Sequence, residues 1–379
     1  MKLYSKTNLV CIVVLTAIIM LLSCAGDSDT DFLLVDLHEY VDDGEYMQLT
    51  GSEVPAEILG AQQISVCDDY LIVNTSDRNA QVTILDVASY EELASICPEG
   101  QARTDFTEPS FELRQFVKDT DGHSEMVMTD NWSKLKFIDL DESVAQTRTV
   151  VDRVYSAENG DDFVWDGTVF LDGADYFKNV GLYYDDNEQC YQSPKFICVH
   201  DSVETEVPLF GDLGLKTIDF DDMQSFGRMI MTSGRMHVRP DKSKVLYACN
   251  ITSYLNIFDM ETKSVKVLFR KSGISFSELV NGYSRMLPGS EPMPTCGDCA
   301  TCDDFFILLY LNEESDENGE RLKNPSVRVM DWEGNLIGGA ELDQCVGSIA
   351  YDAKRGILFG LDQIYETIYA YDLNGVIRR

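Results

Sequence analysis

The chain repeats one form six times: an apolar run, a polar break, a second apolar run, then a turn usually opened by aspartate. The copies are DYLIVNTS with VTILDVAS (69–76 and 82–89), SEMVMTDN with LKFIDLDE (124–131 and 135–142), and VGLYYDDN with KFICVHDS (180–187 and 195–202). They continue with KVLYACNI and LNIFDMET (244–251 and 255–262), FFILLYLN and VRVMDWEG (305–312 and 327–334), and GILFGLDQ and TIYAYDLN (356–363 and 367–374). The turn aspartates are Asp86, Asp139, Asp259, Asp331 and Asp372, while the third copy carries His200-Asp201 instead. An aspartate suits such a place because its carboxylate accepts from backbone amides two residues on. Short β-rich runs without long amphipathic helical patterns disfavour an α/β fold.

Each hairpin is flanked by further short strands, such as ISV (64–66), MHV (236–238) and SVKVLFR (264–270). Four strands per repeat with an irregular period predict an all-β, six-bladed β-propeller over residues 31–379. A ring of blades must close. The sixth copy holds three strands before Arg379, so its outer strand is expected from the N-terminal segment, where DFLLVDL (31–37) and YMQLTG (46–51) are candidates. That pairing covers an edge that would otherwise stay open.

The first residues read as an export signal. Lys2 and Lys6 precede an apolar run of 14 residues, Leu9 to Leu22, too short for a membrane span. The run ends in Leu21-Leu22-Ser23-Cys24, which resembles the lipobox of bacterial lipoproteins and implies lipidation of Cys24 after removal of residues 1–23. Residues 24–30, small and acidic, read as a tether. Several acyl chains would hold the protein on a membrane. The remaining chain has 28 Lys+Arg against 65 Asp+Glu, a net charge of −37. That field repels phosphate backbones and anionic lipid heads, so nucleic acid is not an expected partner and the membrane anchor falls to the lipid.

The lipobox, the six hairpins and MHVRPDKSKVLYA (236–248) together resemble the TolB-like six-bladed propeller lipoproteins of Gram-negative bacteria. CPEGQARTDFTEPSF (97–111) is similar to the Gly-rich stretch after the first blade of that group, but departs from it at Ala102 and Arg103. The resemblance implies an outer-membrane lipoprotein, facing the periplasm or the cell surface, with no general activity attached.

CGDCATC (296–302) has the two-residue spacers of metal sites. The repeat offers another reading, since Cys302-Asp303-Asp304-Phe305 matches Cys67-Asp68-Asp69-Tyr70 and places Cys302 at a packing position. An extended backbone would put Cys296 and Cys302 on one face and Cys299 on the other, so three sulfurs would not converge on a metal. A disulfide among these three or with Cys345 stays open.

The chain has no GxSxG, HExxH, Walker loop or GxGxxG, and no cofactor or metal site is assigned. The four histidines, at 38, 123, 200 and 237, fall in different repeats and read as hydrogen-bonded structural residues. Acidic pairs are too common to single out a catalytic one. Propeller ligands usually meet loops joining second to third strands, and loops between blades. Residues there with recognition chemistry are Arg78, Arg103, Trp132, Tyr191, Tyr254 and Tyr365. Aromatics stack on sugars or peptide groups, and arginines clamp carboxylates. The expected function is a non-catalytic binding or scaffolding protein for a protein partner, glycan or peptide. The alternative is a hydrolase or lactonase with a metal ion in the channel.

Overall fold

In the computed structural model, the residues described are 32–42, 46–119, 121–131, 134–156, 168–171, 175–180, 183–185, 190–192, 195–200, 203–208, 234–250, 254–270, 295–311 and 324–377. The signal, Cys24 and the tether lie outside them. Six antiparallel sheets follow one another around a ring, each running from an inner strand a to an outer strand d. The inner strands are Ala61–Cys67, Pro109–Lys118, Thr168–Phe170, Gly234–Val238, Thr295–Thr301 and Ser348–Asp352. The six-bladed propeller expected from the repeat is therefore the fold.

Both faces of a blade are covered by its neighbours, so the middle strands are apolar without interruption. Phe305–Leu311 shows this most clearly. Phe305, Ile307 and Leu309 join the core shared with blade 6, while Phe306, Leu308 and Tyr310 join the core shared with blade 4. The turn aspartates do what their chemistry suggests. Asp86 accepts from the amides of Ala88 and Ser89, Asp259 from Glu261 and Thr262, and Asp331 from Glu333 and Asn335. Asp139 instead caps a short helix, Leu140–Gln146, accepting from the amide of Glu142 at 2.8 Å.

The N-terminal segment runs along three outer edges in turn. Leu33–Tyr40 pairs in parallel with Ser264–Arg270 of blade 4, and Met47–Leu49 with Leu336–Leu342 of blade 5. The ring is closed by the next strand, Ser52–Glu53, antiparallel to Thr367–Asp372. Closure by the start of the chain holds, but the pairing residues follow the two expected segments. Gly51 explains the phase: a Cβ there would sit 2.8 Å from the buried Tyr371 ring, so only glycine lets the chain turn in at that point.

Two further expectations change. The second strand of blade 3 is Tyr176–Val180, paired with Lys195–His200, rather than 180–187. Phe177 sets this register by packing on Phe196 and Phe258, and Tyr183–Asp185 belongs to a separate hairpin with Cys190–Gln192. In blade 5 a bulge between Cys296 and Asp298 shifts the alternation. Cys296 and Cys299 therefore face blade 4 together, and Cys302 faces blade 6. All three are buried thiols without disulfides.

Candidate functional site

The inner strand of blade 2 carries the largest irregularity near the axis. Ser110 is opposite Thr129 and Gln115 opposite Val127, so residues 111–114 face the single residue Met128. Arg114 adopts a left-handed backbone, φ +44°. A non-glycine residue rarely does so without compensation. Here the compensation is visible. The Arg114 guanidinium forms a bidentate pair with Asp298 on blade 5, the blade diametrically opposite in a ring of six. It also donates to the carbonyls of Ile64 on blade 1 (3.0 Å), Ile349 on blade 6 (2.7 Å) and Cys299 (3.1 Å). The Asp298 carboxylate accepts from the amides of Cys299 (2.9 Å) and Ile349 (2.7 Å). Both side chains are buried, with 7% and 1% exposure. One residue thus ties four blades across the channel.

Below this strut, toward the turns that join strands a and b, a cavity of about 650 Å³ opens. That size falls within the roughly 300–1,000 Å³ of small-molecule sites. Its wall combines apolar groups (Val66, Phe116, Ile349, Tyr351) with Arg114 at the floor. Its rim is charged, and several of the charges are paired. Lys118 pairs with Asp68, Lys354 with Asp69 at 2.8 Å, and Arg355 bridges Asp69 and Asp352 at 2.9 Å each. These pairs tie blade 6 to blade 1, and blade 1 to blade 2.

His237, on the inner strand of blade 4, lines the same cavity at 5% exposure. Burial, with the Arg114 charge beside it, pushes its pKa down to about 3, so the ring is neutral. No hydrogen-bond partner for it occurs among the described residues. Ser65, on the inner strand of blade 1, also lines the cavity, and its buried hydroxyl has no partner either.

Two constellations nearby invite a catalytic reading and do not sustain it. The Ser124 hydroxyl accepts from Lys118 and donates to Asp68. Activating a serine needs an unprotonated amine. Burial works to lower the Lys118 pKa, but the hydrogen bond to Asp68 prevails and holds it above the ordinary lysine value. Lys118 is therefore charged and cannot take the serine proton. Among the described residues, Asp119, His123 and Asp139 bring three metal-capable atoms within 4.8 Å. Asp119 Oδ1 accepts from the amides of Asp121 and His123, Asp139 Oδ1 caps the helix, and their other oxygens face the His123 ring at 3.8 and 3.3 Å, where the hydrogen bond to Asp139 raises its pKa and favours a protonated ring. A channel cation would need carboxylates from several blades. Asp298 projects into the described channel, and both of its oxygens are engaged by Arg114 and two backbone amides.

Of the residues singled out from sequence, Arg78, Tyr254 and Tyr365 lie at the other end of the ring on turns joining strands b and c, and Arg103 lies on the connection between blades 1 and 2. Arg78 is exposed and pairs with Glu99 at 3.3 Å. Arg103 donates to the carbonyl of Asp152 at 2.8 Å and lines a smaller cavity of about 230 Å³ with Asp130 and Lys136. Tyr254 stacks on Phe269, with centroids 5.8 Å apart. Tyr365 is 77% exposed. Trp132 lies outside the described residues, as does the side chain of Tyr191. None of the four described residues, Arg78, Arg103, Tyr254 and Tyr365, lines the larger cavity. The groups that do, Arg114, His237 and Ser65, were not selected. The one usable signal was an arginine between apolar residues in FELRQFV (111–117), a charge inside a short strand.

No family model matches the chain, and no curated protein sequence matches it. Solved structures share the fold. A protein assigned as exported from Bacteroides fragilis is 8% identical, covers 88% of this chain and 98% of its own, and superposes with a TM-score of 0.50. A member of the DUF4221 family from Bacteroides vulgatus is 9% identical over 86% of this chain and 96% of its own, with a TM-score of 0.49. At these identities the likeness concerns the fold and nothing finer.

Proposed function

We propose that the protein is a non-catalytic binding propeller of the bacterial cell envelope, which takes a small ligand into the cavity beneath the Arg114–Asp298 strut. The observation that carries this reading is the cavity itself, floored by a saturated strut and rimmed by ion pairs that already neutralise one another. Such a wall offers shape and hydrogen bonds, and leaves no activated nucleophile or base. Envelope placement rests on the sequence alone: the export signal, the lipobox at Cys24 and the resemblance to TolB-like lipoproteins. Thermal-shift and equilibrium-dialysis screens against sugars, amino acids, short peptides and small carboxylates test the reading. At least one class should bind, and Val66→Trp, which fills the cavity from its wall, should abolish that binding. Binding that survives Val66→Trp places the ligand elsewhere, and the small Arg103 cavity then becomes the site to examine.

A further inference from the structure

We infer that the floor of this cavity is a subsite for an uncharged, hydroxyl-rich ligand, the chemical class of neutral sugars, held by the His237 imidazole and the Ser65 hydroxyl. This inference rests on the binding reading above and deepens it. Three observations lead to it.

First, the strut at the floor has no charge to spare. Arg114 spends both terminal nitrogens on Asp298 and three carbonyls. Lys118 and Lys354 face carboxylates at the rim. An ionised ligand group at the floor would lose its hydration beside a strut whose charges already offset each other, which is the costly case for burial. An uncharged ligand meets no such penalty.

Second, two polar side chains on the wall lack partners. His237 is more than nine-tenths buried and lines the cavity. A neutral imidazole offers one donor and one acceptor. Ser65, on the inner strand of blade 1 beside the same cavity, adds a buried hydroxyl of the same dual character without a partner. Buried polar groups in native proteins are almost always satisfied. Groups that both give and accept match alcohol hydroxyls, which do the same. A carboxylate would use only donors, and an ammonium only acceptors.

Third, Phe116 and Tyr351 put aromatic surface on the wall. Aromatic faces suit the C–H side of a sugar ring while its hydroxyls turn toward polar groups.

Titration calorimetry of the full chain against neutral oligosaccharides, with the matching uronic acids and amino sugars, tests the inference. A neutral sugar should bind and its charged counterparts should bind at least tenfold more weakly. His237→Phe should weaken neutral-sugar binding about tenfold or more, Ser65→Ala by a smaller factor, and His237→Gln should restore part of the loss by returning a donor and an acceptor. If His237→Phe does not fold, Ser65→Ala and His237→Gln carry the same comparison. Binding abolished by Val66→Trp but indifferent to His237 and Ser65 overturns the subsite and leaves the cavity reading standing. Preference for a charged member overturns the ligand class. Binding unaffected by Val66→Trp overturns both. Failure of every sugar to bind, while another class binds in a Val66→Trp-sensitive way, overturns the sugar inference alone.

Discussion

Arg114 and Asp298 are 184 residues apart in the chain and meet across the propeller channel as a buried bidentate pair. Removing one partner leaves a buried charge without compensation, which typically costs about 3–5 kcal/mol. Arg114→Ala and Asp298→Ala should therefore each lower stability by about that amount in guanidinium unfolding. The double variant Arg114→Met/Asp298→Leu should recover most of the loss, since neither charge remains. A double variant as unstable as either single would mean that the carbonyl contacts of Arg114, rather than the ion pair, hold the four blades together.

Ring closure depends on a close approach. A Cβ at Gly51 would lie 2.8 Å and 2.9 Å from two atoms of the buried Tyr371 ring and 3.0 Å from Tyr369. Gly51→Val should cost about 1–3 kcal/mol, as overpacking of a well-filled site does. It should also expose the edge of Thr367–Asp372 and promote association, read by light scattering. A soluble Gly51→Val protein of unchanged stability would show that Ser52–Glu53 is not needed to close the ring.

His237 gives a pH dependence with a definite sign. Its native pKa is pushed down to about 3, whereas in the unfolded chain it lies near the ordinary 6.5. Below about pH 6.5 the unfolded state binds a proton that the native state refuses. Stability present above that pH is thus lost as pH falls toward 3, by about 1.4 kcal/mol per pH unit at most. The stability difference between the native protein and His237→Asn should shrink over this window, measured by urea unfolding at a series of pH values. Glu125 works in the opposite direction: burial raises its pKa to about 7 against the pull of Arg153, so its contribution falls as pH rises from 4.5 to 7. A pH-independent difference for His237→Asn would contradict a buried neutral ring.

The three sulfurs of CGDCATC should be inert in the native protein. Burial pushes the Cys296 thiol up to about 12, the Cys302 thiol up to about 11, and that of Cys299 well above its ordinary value. Thiolates are the reactive form, so iodoacetamide at pH 8 should leave all three unmodified until denaturant is added. Mass spectrometry after digestion reads this directly, and rapid native labelling of Cys299 would disprove its packing between blades 4 and 5.

Local pattern determined much of this protein. Hairpin number, the apolar runs and the turn aspartates are properties of neighbouring residues, because strand alternation and Asx turns act over a few positions. The paired apolar runs were therefore legible for five copies, and misplaced by several residues in the third, where Tyr176–Val180 has a polar half and the more apolar-looking Val180–Tyr184 drew the assignment. The faces of the cysteines were misread for a related reason: one extra residue at Gly297 reverses every side chain on one side of it, and nothing in the local composition announces a bulge. Only the tertiary structure decided which end of the ring carries the large cavity. Arg114, His237, Ser65 and Asp298 come from four blades, and they meet because the ring closes and because a bulge swings Arg114 inward. Convergence on an axis depends on closure and phase over the whole chain, and a single sequence carries neither in any short stretch.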